Sequence, residues 1–131
     1  MKLDFKISEL IYSEIAIQNN INNMPDINSL DNMLNLIFHV LQPIRNIIQK
    51  PMIITSGYRN QQVNFLAGGA INSQHKEGKA ADFKIKDMTP SQIIKIIKTS
   101  KIEYDQLINE HDLWVHVSFD KNKNRSQILY I

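Results

Sequence analysis

The apolar positions of this chain change period along its length. From Ser29 onward, Leu30, Met33, Leu34, Ile37, Phe38, Leu41, Ile44 and Ile48 recur at steps of mostly three and four, the spacing of a helix with one face toward a core. Pro43 interrupts that run, and a kink or break is expected over residues 39–42, because proline offers no N–H and its ring crowds the preceding turn. A shorter helix is expected from Ser8 to about Asn19, with Leu10, Ile11 and Ile15 on one side, followed by the turn cluster Asn22-Asn-Met-Pro-Asp26. Thr89-Pro-Ser-Gln92 reads as a helix start: threonine as cap, proline in the first turn, and a glutamine three residues after the cap. Ile93, Ile94, Ile96 and Ile97 form the buried side of that helix.

Between and after these helices the period falls to two. Met52–Thr55 is a short buried strand, and Asn60–Leu66 a helical turn with Val63 and Leu66 inward. Ala80–Ile85 alternates so that Asp82 and Lys84 share one face while Phe83 and Ile85 share the other. Tyr104–Asn109 and Leu113–Phe119 form an antiparallel hairpin, and Gln127–Ile131 a last strand. Helices mostly first and strands after them give an α+β fold, an antiparallel sheet packed against N-terminal helices. At 131 residues the chain is expected to form one domain, residues 1–131, with a sizeable core.

Composition narrows the chemistry. There is no cysteine, so disulfides and thiol catalysis are excluded, and a transition-metal site would have to use nitrogen and oxygen ligands. The net charge of +2 is modest, and the one basic run, Lys121-Asn-Lys-Asn-Arg125, reads as a solvated turn; no nucleic-acid partner is expected. Met1–Glu9 has no signal-peptide pattern and no segment approaches a membrane span, so synthesis in the cytoplasm without membrane insertion is expected. A monomer is expected.

The candidate site lies in Asn72-Ser-Gln-His-Lys-Glu-Gly-Lys-Ala-Ala-Asp-Phe83 and Trp114-Val-His116. His75, Asp82 and His116 supply two imidazoles and one carboxylate, and three protein ligands leave a fourth position for water, as in catalytic zinc sites. Asp82 stands mid-strand among apolar neighbours, where a carboxylate is costly unless it is paired or binds a metal. All four glycines fall within residues 57–78, beside these ligands. His39, on the long helix, reads as structural, and His111 as a turn residue.

Ser56-Gly-Tyr-Arg59, Gly68-Gly-Ala-x-Asn-Ser-Gln-His75, Gly78-x-Ala-Ala-Asp82 and Trp114-Val-His116 resemble the zinc D-alanyl-D-alanine carboxypeptidase-like peptidases, in the short type common in bacteriophages and prophages. The resemblance spans nearly the whole chain and implies a fold shared with hedgehog signalling domains and D,D-peptidases. It implies zinc at His75, Asp82 and His116, and a peptidoglycan stem peptide with D-amino acids as substrate. It implies Arg59 over the scissile carbonyl, where a fixed guanidinium stabilises developing negative charge. Ser73, Tyr58 and Trp114 are candidate substrate contacts, Ser73 alternatively a cap for the loop carrying His75, and Gln106 a candidate support for a ligand histidine.

Such an enzyme needs a general base. Many relatives place it three residues before the second histidine ligand, where this chain has Leu113. Glu110 and Asp112 are the candidates. Strand parity places Asp112 on the His116 face if the strand extends that far; alternatively, a three-residue loop, His111-Asp112-Leu113, would pair Glu110 with Trp114 and turn it to the His116 face. Asp105-Gln-Leu-Ile-x-Glu110 also resembles the short subgroup, which favours Glu110. The departure at Leu113 leaves a second reading, a zinc-containing binding module of the same fold without activity.

Overall fold

Strand β2, Ala80–Ile85, lies second in a five-stranded sheet of order β1-β2-β4-β3-β5. The computed structural model describes residues 2–131. The other strands are β1 (Met52–Ser56), β3 (Gln106–Glu110), β4 (Trp114–Ser118) and β5 (Gln127–Tyr130). The alternation read from β2 decides the layers. Ala81, Phe83 and Ile85 join Leu107, Val115 and Val117 on a face buried against helical residues Leu36, Ile37, Leu41, Ile44, Ile93, Ile94 and Ile97. Phe83 is fully buried, so truncation to alanine there would cost about 3–5 kcal/mol.

The helices differ from the sequence reading in instructive ways. The expected helix over residues 8–19 is two: α1, Ile7–Ile11, and α2, Glu14–Gln18. Tyr12 is extended, and the Ser13 hydroxyl accepts a hydrogen bond from the Ala16 amide, so a serine cap restarts the helix. The long helix begins earlier than Ser29, at Ile27, because Asp26 caps it through the Ser29 amide at 2.7 Å. It runs as α3 (Ile27–Leu36), a π-helical turn (Ile37–Leu41) and α4 (Gln42–Ile48). The irregular turn falls just before Pro43, as proline's missing donor requires. In α5, Gln61–Leu66, Val63 is buried but Leu66 is exposed, contrary to expectation. The capping box at Thr89 starts α6, Pro90–Lys98, as read, with Ile96 only partly buried.

The expectation of an antiparallel sheet is corrected at one edge. β5 runs parallel to β3, with Gln106 opposite Gln127, so the sheet is mixed. The cause lies in the loop after β4. Asp105 accepts from the Arg125 amide, Nε and Nη2 at 2.8–2.9 Å, while its own carbonyl accepts from Gln127 N. That clamp carries the chain past the start of β3 to its outer side.

Candidate functional site

Strand pairing builds most of the site. Asp82 lies opposite His116, and His116 opposite Ile108, so the face of the sheet away from the core carries the row Asp82–His116–Ile108. A bulge in β1 extends the row: Ile54 pairs with Phe83, yet Ser56 pairs with Asp82. An extra residue in one strand turns Ser56, rather than Thr55, against the carboxylate. Glu110 pairs with Trp114, two positions along the same face, through the three-residue loop expected from the sequence. His111 and Asp112 take positive φ of 57° and 59° to make that loop, and the Leu113 amide donates to Glu110 O at 2.9 Å.

His75 comes from outside the sheet, on the 3-10 turn Gln74–Glu77. Ser73 caps that turn, its hydroxyl accepting from His75 N at 3.2 Å. The end of β1 then grips the histidine twice. The Arg59 amide donates to His75 O at 3.0 Å, and the ring Nδ1 lies 2.7 Å from Gly57 O. A carbonyl only accepts, so Nδ1 carries the hydrogen and Nε2 presents its lone pair to the cluster. Gly57 is required there: a Cβ would strike the Leu10 backbone, whose carbonyl accepts from Tyr58 N at 2.6 Å.

The result is a buried triad. His75 Nε2 lies 3.4 Å and His116 Nδ1 2.8 Å from the same oxygen of Asp82, and one ligand atom from each residue falls within 4.8 Å of the others. Burial pushes the Asp82 carboxyl up, but the neighbouring imidazoles, the hydrogen bond from His116 foremost, outweigh it and hold the group below the usual carboxylate range. Two imidazole nitrogens and a carboxylate converging in a protected pocket match the donor set of zinc. His75, Asp82 and His116 could therefore hold the ion.

Arg59 flanks the triad. Its Nε donates to Ser56 Oγ at 3.0 Å, Nη1 to Asn64 Oδ1 at 3.4 Å, and Nη2 lies 3.7 Å from Asp82 Oδ2. Burial lowers its pKa, while Asp82 and Glu110 oppose that shift; the guanidinium stays charged. A cavity of about 340 Å³ is lined by the triad together with Arg59, Glu110, Ser73, Trp114 and the Gly68–Ala70 loop.

Of the sequence-derived site residues, seven meet in this cavity and Tyr58 does not. Tyr58 is buried in the core and borders a neighbouring cavity on the other side of Arg59. Gln106 supports no histidine; its amide donates to Gln127 across the β3–β5 edge. Asp112 is exposed and accepts from Asn109 within the hairpin. His39 is exposed and stacks on Phe119 at 4.8 Å between ring centroids. The basic run is largely neutralised, Lys121 by Asp31 and Arg125 by Asp105. Two supporting residues escaped the sequence reading. Asn64, 3% exposed, joins Arg59 to the glycine loop through Ala70 O, and Asp105 holds Gln74, next to His75, at 2.8 Å. Their partners are distant in sequence, and no local pattern marks them.

No helix among the described residues is long and apolar enough to cross a membrane. No curated protein matches the chain. A family model described as Peptidase M15 matches residues 3–118, a span that holds the triad, Arg59 and Glu110 and ends before β5. With a buried His-Asp-His cluster fit for a metal ion inside that span, the chain belongs to the peptidase M15 family of zinc-dependent peptidases.

Proposed function

We propose that this peptidase hydrolyses peptidoglycan stem peptides containing D-amino acids, as a D-alanyl-D-alanine carboxypeptidase or a related wall endopeptidase. The observation that carries the reading is the shared cavity. The metal-fit triad, one half-buried cation and one carboxylate outside the triad line the same space. Zinc bound there would supply a Lewis acid that polarises the scissile carbonyl and acidifies water.

The chain's own groups supply the remainder. Glu110 takes the proton of the attacking water and returns it to the leaving amine. Leu113, at the position where many relatives carry the base, is exposed on the hairpin loop, whereas Glu110 borders the cavity. Arg59 faces the charge that develops on the carbonyl oxygen, with its fork pre-set by Ser56 and Asn64. Ser73 and Trp114 line the cavity and would border a bound peptide. The resemblance to short phage and prophage enzymes supports lysis or virion-associated wall hydrolysis as the setting.

The test is mass spectrometry of fragments released by zinc-loaded protein from several peptidoglycan types. Cleavage at a bond flanked by D-residues is expected. Intact walls and intact stem peptides after prolonged incubation, with full zinc content, would overturn the activity and leave a binding module.

A further inference from the structure

A second cavity, of about 370 Å³, meets the metal cavity at Arg59 and Ala67, which belong to the walls of both. Thr55 and Ser56 of β1 form one side, and β1 is an end strand of the sheet, the kind of edge along which an extended peptide can lie. The start of α2, with Glu14, forms the other side.

The charges on these walls are unequal in their commitments. Arg59 already faces Ser56, Asn64 and Asp82. Glu14 enters none of the ion pairs found among the described residues and is exposed at the cavity wall. No lysine or histidine lines the cavity, so Glu14 is its one uncompensated charge. The space beside it is bounded by Ile15, Val63 and Ala67, apolar surface suited to an alkyl stem.

We infer that this cavity is a subsite of the same groove, in which Glu14 selects a substrate side chain that ends in an ammonium group. The inference rests on the peptidase reading above. A peptide cut at the triad would pass Arg59, lay the stem of a neighbouring side chain along the apolar wall and bring its cation to Glu14. Because Glu14 is exposed, the pair contributes modestly and is screened by salt.

The test uses zinc-loaded Glu110→Gln protein, which binds peptide without consuming it. Two stem peptides that differ in one side chain, lysine in one and norleucine in the other, are titrated calorimetrically. The lysine peptide should bind about two- to fivefold more tightly, the size expected of a rim ion pair. Adding Glu14→Gln should bring the ratio near one without weakening the norleucine peptide, and raising the salt should do the same. A ratio unchanged by Glu14→Gln, or equal affinities from the start, overturns the subsite. Binding of neither peptide overturns it together with the peptidase reading. A Glu14-dependent preference in a protein whose parent cleaves neither peptide upholds the subsite and overturns the reading alone.

Discussion

Asp82 on β2 and His116 on β4 face each other in antiparallel register, the carboxylate oxygen 2.8 Å from the ring Nδ1. Backbone pairing therefore sets two of the three positions of the triad, while His75 sits on a short turn gripped by Gly57 and Arg59. Removal of zinc should loosen these parts unequally, because local opening follows the least protected segment. Hydrogen exchange after chelation should rise over residues 73–79 and stay low over Ala80–Ile85 and Trp114–Ser118. A uniform rise across the sheet would show that the metal, and not the register, holds the strands.

Glu110→Gln should keep fold and zinc yet lose about a hundredfold or more in turnover, since a positioned base contributes about 10² to 10⁴. Asp112→Asn should be mild: its carboxylate only braces the turn through Asn109. Steady-state rates on a stem peptide, read beside zinc content, separate the two. A dead Asp112→Asn with an active Glu110→Gln would transfer the base role.

How far the chain announced this arrangement depends on the range of the interactions. β2 was legible to the residue, because alternation along Ala80–Ile85 is a local signal and Asp82 stood out against it. The hairpin was legible, but its register stood between two alternatives, and the pairing of Glu110 with Trp114 is the favoured one of them. The split of the first helix at Tyr12 was signalled by Ser13, a capping residue that the apolar spacing obscured. The direction of β5 was not legible. Four residues without a clear alternation of burial fit either direction, and the choice lies with Asp105 and Arg125, twenty residues apart. Tyr58 lies outside the metal cavity for a similar reason: the motif around it brings Arg59 to that cavity, but its own largely buried ring borders the neighbouring one.

Asn64 aims Arg59. Asn64→Ala should lower kcat about tenfold with zinc content unchanged, whereas loss of an oxyanion-stabilising donor by Arg59→Ala should cost about 10² to 10³. In the Arg59→Ala background, removal of Asn64 should cost less than about twofold further, the non-additivity of residues in one hydrogen-bonded unit. Additive losses would assign Asn64 to loop structure instead.

Asp105 makes stability depend on pH. Hydrogen bonds from the Arg125 side chain hold its carboxyl at about 2, against the opposing effect of burial. The folded value lies below the ordinary one, so its stabilisation is complete above about pH 5 and fades as pH falls toward 2. In metal-free protein, Asp105→Asn should cost about 1–2 kcal/mol at neutral pH, modest because Arg125 is half exposed. Urea unfolding across this range should show the gap between wild type and variant closing in acid. A gap constant from pH 7 to 3 would contradict the ion-pair account.

The most direct measurement is zinc stoichiometry in purified wild type and in single alanine variants at the four histidines and Asp82. About one zinc per chain is expected in wild type, lost on chelation with a fall in thermal stability, since the ion binds the folded state. His75→Ala, Asp82→Ala and His116→Ala should each retain far less, with His39→Ala and His111→Ala unchanged. Full occupancy in the His75 and His116 variants would contradict the metal centre on which the account stands.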